Sequence, residues 1–370
     1  MTVFNIPLDA PNIGELEKEF VIRALESGYV SSVGPMVAEF EERFASYVRV
    51  SHAVATVNGT AALHLALRLL DIGPGDEVIV PALTFIATVN PVLYVGATPV
   101  VIDVDPLTWN IDPVEVEKAI TEHTRAIIPV HLYGNPADMC RIVELARKYN
   151  LFVVEDATEA LGATYEGRFT GTFGHIGVFS FNGNKVITTG GGGMLVTDDS
   201  VLASRARLLV NQGRVPGVIE YEHVEMGYNY RLNNLQAALG LAQLERLPEF
   251  LDAKRRNTAL YRKLLQERSG LKWQCEMEES VSNWWLFSIL IEPDKFGAGR
   301  NDVMEKMKSA GIQVRPLFMP LTKQPAYNRY NMNECPVADF LHKNGINLPG
   351  TSLLKEEDIR QVCQVLLEVK

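Results

Sequence analysis

One lysine, Lys185, stands between a short apolar strand and four consecutive glycines, in Val178-Phe-Ser-Phe-Asn-Gly-Asn-Lys-Val-Ile-Thr-Thr-Gly-Gly-Gly-Gly-Met194. A desolvated lysine amine loses its charge readily and condenses with a carbonyl to a Schiff base. Glycine accepts backbone angles closed to other residues and lets another group approach closely. Taken alone, Lys185 reads as an exposed loop residue; other residues shift that reading. Asn58-Gly59-Thr60 closes the short apolar strand Ala53 to Val57 and opens the apolar helix Ala61 to Leu70. Strand, small residues and helix N-terminus present free N–H groups and a positive dipole end to an anion such as phosphate. An ordinary strand–helix turn with a threonine cap has the same pattern. Phe85 follows a strand and offers either a flat apolar face or one more core side chain. Asp156 ends the strand Leu151 to Glu155 and offers either a buried carboxylate or a helix N-cap.

These groups work together only if the chain brings them to one place. Strands Glu77 to Pro81, Pro99 to Val104, Arg125 to Val130 and Leu151 to Glu155 alternate with helices that begin at Thr84-Phe85, at Asp112 and over Ala137 to Tyr149. The strands are almost wholly apolar, which predicts a parallel-rich sheet covered by helices on both faces. Ligands of such sheets bind outside the carboxyl ends of the strands. Thr60, Phe85, His131 and Asp156 all follow strand ends and can line one crevice. Ahead of the sheet, helices are expected over Asn12 to Ser27, capped by Asn12, and over Met36 to Tyr47. Asn211 to Tyr228 is a polar, glycine-punctuated loop, either a mobile substrate-contacting segment or plain surface. A helical region over Leu235 to Arg268 is expected to break near Pro248. Beyond Leu271, a strand over Trp284 to Ile291, a helix over Asn301 to Ala310, a strand around Gln313 to Arg315 and a last helix from Lys355 form a smaller α+β unit. The expected division is an N-terminal segment 1–27 packing near the small unit, a large domain 28–250 and a small domain 251–370.

Several function classes are excluded or disfavoured. The 370 residues carry 47% hydrophobic and 22% charged side chains, the balance of a globular enzyme. A net charge of -10 and the absence of any Lys/Arg cluster argue against a nucleic-acid face. The uncharged run Val78 to Val95 is interrupted by Pro81 and Pro91 and reads as a strand and core helix, not as a membrane span. The N-terminus lacks the pattern of a secretory signal. Four scattered cysteines, Cys140, Cys275, Cys335 and Cys363, show no metal or redox spacing and fit a reducing cytoplasm. The histidines have no ligand spacing, so no metal is expected. There is no G-x-G-x-x-G between strand and helix, and no G-x-S-x-G elbow.

Pyridoxal phosphate needs what the crevice residues offer. Its phosphate needs N–H and hydroxyl donors (Gly59, Thr60, Ser180), its ring a flat apolar face (Phe85), its pyridine nitrogen a carboxylate (Asp156) and its aldehyde a lysine (Lys185). At these residues the chain resembles the sugar aminotransferases of the DegT/DnrJ/EryC1/StrS group, pyridoxal-phosphate enzymes of fold type I. The resemblance covers essentially the whole chain. It rests on Asn58-Gly-Thr-Ala-Ala-Leu-His-Leu-Ala-Leu67, Pro81-Ala-Leu-Thr-Phe-Ile86, Val154-Glu-Asp-Ala-Thr-Glu-Ala-Leu-Gly162, Ser180-Phe-Asn-Gly-Asn-Lys185 and Gly227-Tyr-Asn-Tyr-Arg-Leu-Asn-Asn-Leu-Gln-Ala-Ala238.

The resemblance implies an α/β fold, with a mixed, mostly parallel sheet between helices in the large domain. It implies that Lys185 links covalently to the cofactor and later shuttles a proton between substrate carbon and cofactor C4′. It implies that Asp156 pairs with the pyridinium nitrogen, that Phe85 stacks on the ring, and that Gly59, Thr60 and Ser180 hold the phosphate. Asn229 is implied to reach the phosphate of a partner subunit, hence a homodimer with shared active sites. Glu159 stands where many members place glutamine or histidine near the cofactor's 3′-oxygen. Relatives with histidine at the lysine position are dehydratases, so Lys185 favours amine transfer. Pro7-Leu-Asp-Ala-Pro-Asn-Ile-Gly14, Gly28-Tyr-Val-Ser-Ser-Val-Gly34 and the form Phe181-Asn-Gly-Asn-Lys-Val-Ile-Thr-Thr-Gly-Gly-Gly-Gly193 resemble the branch, feeding legionaminic-acid or bacillosamine-type sugars of cell-surface glycans, that aminates C4 of UDP-2-acetamido-2,6-dideoxy-hexos-4-ulose with L-glutamate as donor. Transamination at C3, sugar dehydration and a non-enzymatic cofactor-binding regulator are the alternatives. One departure stands out. Many members have a histidine after the turn that here reads Arg315-Pro-Leu-Phe318-Met319-Pro320.

Overall fold

The computed structural model describes residues 4–215, 217, 219–328, 330 and 333–369. The expected loop Asn211 to Tyr228 therefore lies partly outside the described residues. The apolar strands pair into a seven-stranded sheet in the spatial order His52–Thr56, Gly193–Thr197, Ile176–Ser180, Phe152–Asp156, Thr124–Ile127, Glu77–Pro81, Thr98–Ile102. Gly193–Thr197 runs antiparallel to both its neighbours, and the remaining pairings are parallel. Strands covered on both faces need apolar side chains on both, which explains the runs without alternation in Glu77–Pro81 and Phe152–Asp156. The helix Gly59–Leu69 is buried nearly all round because it packs on the face of this sheet and is flanked by the helices Asn90–Tyr94 and Ser200–Leu209, with Ala62, Leu65 and Leu67 fully enclosed.

A second, four-stranded antiparallel sheet has the order Leu271–Trp273, Phe287–Ile291, Gly345–Leu348, Arg315–Pro316. Helices Arg300–Ser309 and Glu356–Leu367 close its own apolar core around Phe287, Ile289, Val303 and Ile359. The chain is thus α/β with a smaller α+β unit.

The helix Asn234–Leu265 links the two cores, with Leu247 and Phe250 in the larger and Tyr261 and Leu265 in the smaller, and is capped by Asn233, whose side chain accepts from the Gln236 N–H. The expected break at Pro248 does not occur, and the helix carries the proline in its interior. Buried Leu244, Leu247, Phe250 and Leu251 hold both sides of it in the core, so packing offsets the lost backbone hydrogen bond. Position 250 falls inside this helix.

Two other boundaries differ from expectation. The first helix spans Glu15–Glu26 and starts at Gly14, whose N–H donates to Glu17 (2.6 Å). Asn12 is used elsewhere: its carbonyl accepts from Gln243 (2.9 Å). After the strand Glu77–Pro81 no helix begins at Thr84. Residues 85–89 form turns, and a short helix starts only at Asn90, where Pro91 fits the first turn. The N-terminal stretch lies on the small unit: the Asn5 N–H donates to Gly311 O (2.9 Å) and Gly350 N–H donates to Leu8 O (2.7 Å). Among the described residues no helix is long and apolar enough to cross a membrane.

Candidate active site

A cavity of about 740 Å³ opens at the carboxyl ends of the parallel strands, against the smaller unit. Gly59, Thr60, Phe85, Asp156, Glu159, Ser180 and Lys185 all line it. His131 does not. It is fully buried behind the cavity, where its Nε2–H donates to Glu155 (3.0 Å) and its Nδ1 accepts from the Ala137 N–H (3.0 Å). It supports the strand ends and does not line the cavity. Asn229 is exposed and does not line this cavity in its own chain. It pairs with Asn211, on a ribbon whose next residue, Tyr230, accepts the Val57 N–H (2.7 Å).

The anion cradle follows from helix geometry. Asn58 caps the helix by accepting from the Ala61 N–H (2.8 Å), and Ala62 N–H bonds to Asn58 O (3.1 Å). The N–H groups of Gly59 and Thr60 then have no partner within the helix. Ser180, at the end of its strand, stands beside them. A Cβ built on Gly59 would meet Ser180 Cβ at 3.0 Å and Thr158 Cγ2 at 3.2 Å, so a side chain there would fill the cradle. None of Gly190 to Gly193 lines the cavity, but the run still serves a close backbone approach. A Cβ on Gly193 would strike the Asn58 carbonyl at 2.6 Å, so this glycine lets its strand press on the turn that forms the cradle.

Asp156 is buried at the cavity floor, and no helix follows it to be capped. Its Oδ2 accepts from Thr88 Oγ1 (2.8 Å), which pairs with Thr84 Oγ1 (2.8 Å), and its Oδ1 accepts from the Thr158 N–H (3.2 Å). These bonds fix the plane of the carboxylate. The turns at 85–89, unexpected from sequence, are what bring Thr88 to it.

Lys185 reaches into the cavity with its side chain 13% exposed. Its Nζ lies 3.6 Å from Glu159 Oε1 and 3.9 Å from the centroid of the Trp285 ring. Glu159 also accepts from the Tyr133 N–H (2.8 Å). Burial pushes its carboxyl up from 4.5 to about 6, against the pull of Lys185. Phe85 is 52% exposed and presents a ring at the cavity edge, tilted against Phe318 at 5.7 Å. Phe318 in turn stacks on Tyr133 (5.2 Å).

Sequence reasoning missed Trp285, Asp9 and His342, all of which line the cavity. Trp285 was readable only as a strand residue, and nothing in its local pattern marks it. Asp9 and His342 arrive from opposite ends of the chain. The site offers a helix N-terminus with a hydroxyl, an oriented buried carboxylate, an exposed aromatic face and a cavity lysine. This set of donors matches a phosphorylated heteroaromatic aldehyde, and the Gly59 cradle has room for its phosphate.

A family model for the DegT/DnrJ/EryC1/StrS aminotransferase family matches residues 11–367. The chain is similar to a GDP-perosamine synthase of Caulobacter vibrioides, 43% identical over 365 residues, covering 98% of each chain. It is also similar to a UDP-N-acetyl-3-dehydro-alpha-D-glucosamine 3-aminotransferase of Acidithiobacillus ferrooxidans, 40% identical over 329 residues, 88% of this chain and 86% of that one. Among solved structures, a proposed sugar aminotransferase of Streptococcus pneumoniae, Spr1654 in its PMP form, matches with TM-score 0.93 at 30% identity, over 99% of this chain and 98% of that one.

Proposed function

This chain belongs to the DegT/DnrJ/EryC1/StrS aminotransferase family, and we propose that it moves the amine of L-glutamate onto the C4 keto carbon of a nucleotide-linked 4-keto-6-deoxy sugar. It is a pyridoxal-phosphate-dependent sugar aminotransferase of nucleotide-sugar biosynthesis. The observation that carries the reading is the convergence of Lys185, Asp156 and the Gly59–Thr60 helix N-terminus on one cavity. Pyridoxal phosphate, when bound, supplies an electron sink and a carrier for the amine.

The chain's own residues then have these roles. Gly59 and Thr60 N–H groups and the Ser180 hydroxyl hold the phosphate. Asp156, fixed by Thr88 and Thr158, keeps a proton on the ring nitrogen. Phe85 covers one ring face. Lys185 would hold the cofactor aldehyde covalently, and once the substrate amine takes its place on that carbon, the released lysine amine would accept and return the proton moved from substrate. Glu159 steadies the charged form of that amine at 3.6 Å. Trp285 and Phe318 narrow the wall opposite and keep water from the proton-transfer atoms. Asn229, exposed in its own chain, completes the phosphate site of a second copy, so the working form is a homodimer. The division at 1–27, 28–250 and 251–370 is part of the same reading, with the long helix as the shared element. Soluble substrates and free cysteines fit a cytoplasmic enzyme.

C4 is favoured by the GDP-perosamine synthase likeness, and the 3-aminotransferase likeness keeps C3 as the second reading. The resemblance of Pro7 to Gly14 and Gly28 to Gly34 favours a UDP-linked acetamido sugar. Incubation with ¹⁵N-labelled glutamate and UDP- or GDP-linked 4-keto or 3-keto sugars, read by NMR, decides. Label at C4 is the expected result. Label at C3, or loss of a hydroxyl without label, overturns it.

A further inference from the structure

We propose that Lys254 and Asp9, which have no place in the amine-transfer chemistry above, are positioning residues for Lys185, acting through Trp285. The inference rests on Lys185 being the cofactor lysine.

Lys254 lies in the C-terminal half of the helix Asn234–Leu265, with its side chain 2% exposed. Burying an ammonium costs several kcal/mol unless its protons are all taken. Here they are. Lys254 Nζ donates to the Gly350 carbonyl (2.7 Å), the Trp285 carbonyl (3.1 Å) and Asp9 Oδ2 (3.3 Å). The Asp9 side chain is 6% exposed and stays next to Lys254 because the backbone is tied on both sides. Leu8 N–H donates to Gln313 Oε1 (3.0 Å), and Thr351 Oγ1 donates to Ala10 O (2.9 Å). One ammonium therefore joins three segments that are far apart in sequence: the N-terminal strap, the residues just before the small-unit strand Phe287–Ile291, and the turn at 350.

The joint ends on Lys185. Trp285 Nε1 donates to the carbonyl of Asn184 (2.6 Å), the residue before the lysine, and the indole face lies 3.9 Å from Lys185 Nζ. Its backbone is held by Lys254 and, through its N–H, by Asn283 Oδ1 (2.8 Å). A cation over an indole face is stabilised only while the ring keeps its place. A buried ion pair is often no more stabilising than an apolar pair of equal volume, so stability alone is a weak reason to bury Lys254. Fixing Trp285 against the lysine is a stronger one. Burial raises the Asp9 carboxyl to about 6, and both Lys254 and Lys185 pull the other way, which agrees with a charge pair that senses the cavity.

The test uses the full-length, cofactor-loaded protein and the visible absorbance of the lysine-bound cofactor as a function of pH. Lys254→Met keeps the length and removes the donors. The expected result is a folded protein whose absorbance titration midpoint moves by about 0.5 unit or more, with kcat down roughly 10-fold and KM for glutamate little changed. Trp285→Phe moves the midpoint in the same direction, and adding Lys254→Met to it moves the midpoint no further. If Lys254→Met fails to fold, Asp9→Asn, equal in shape, takes its place in the same cycle. A fall in thermal midpoint with an unmoved titration midpoint overturns the proposal, as do additive shifts in the double variant. If the wild type has no visible band even with added cofactor, the assignment of Lys185 fails first, and the two failures are told apart.

Discussion

The sheet-side wall of the cavity carries its groups at or just after strand ends, whereas the facing wall is assembled from the N-terminal stretch and three segments near the other end of the chain. Gly59, Thr60, Asp156 and Ser180 belong to the first; Asp9, Trp285, Phe318 and His342 belong to the second. On the sheet side, backbone geometry alone aims each group: parallel strands end together, and the helix N-terminus points where they end. On the facing side, position depends on tertiary contacts such as the Lys254 joint and the stack of Phe318 on Tyr133. Under the proposed function the first wall carries the cofactor chemistry and the second carries substrate choice and alignment.

Substitutions on the two walls should therefore fail differently. Lys185→Ala is expected to lower amine transfer by roughly 10⁴-fold or more, since the proposed function gives this one residue both the covalent link and the proton relay. Stopped-flow assay of both half-reactions checks this. Asp156→Asn keeps the Thr88 and Thr158 contacts but loses the charge. A loss of about 100-fold or more in both half-reactions is expected, because the charge it stabilises is common to both substrates. If only the sugar half-reaction suffered, the division between the walls would collapse.

Phe318→His tests the other side. It restores the residue type that the motif departs from, at a position stacked on Tyr133 and close to Phe85. We expect roughly a 10-fold change in kcat/KM for the nucleotide sugar, with the glutamate half-reaction within about 3-fold of wild type. Equal losses in both would move Phe318 to the cofactor side.

The smallest effect is expected at Glu159, which joins the walls. Its carboxyl holds a proton up to about 6 in the folded chain, against 4.5 ordinarily. Between these values the native state binds more protons than the unfolded state. Stability therefore falls as pH rises from about 4.5 through about 6. Glu159→Gln should flatten its share of that decline, at most about 2 kcal/mol, in denaturant titrations at pH 4.5 and 7. The acid limb of the rate profile near pH 6, where Lys185 loses its counter-charge, should weaken with it. An unchanged profile would mean that Glu159 does not act on Lys185.

The same contrast explains what was legible in the sequence. The alternation of strands and helices, Lys185, Asp156 and the Gly59–Thr60 turn could be read because local pattern and position after a strand determine them. The continuous helix through Pro248 could not, because long-range packing overrides a local breaker. Thr88 could not, since the turns after Leu83 depend on Asp156, which is 68 residues away in the chain. His131 was misread because a residue after a strand can face either the crevice or the supporting layer, and only its bonds to Glu155 and Ala137 decide. Trp285 and Asp9 carry no local signal at all.

The measurement closest to the central claim is the visible spectrum of the purified full-length protein, with pyridoxal phosphate added if needed. A band in the blue-edge region that bleaches on addition of glutamate, returns on addition of a 4-keto nucleotide sugar, and is absent in Lys185→Ala is the predicted result. A protein without such a band, or a band that survives both glutamate and the loss of Lys185, would contradict the account.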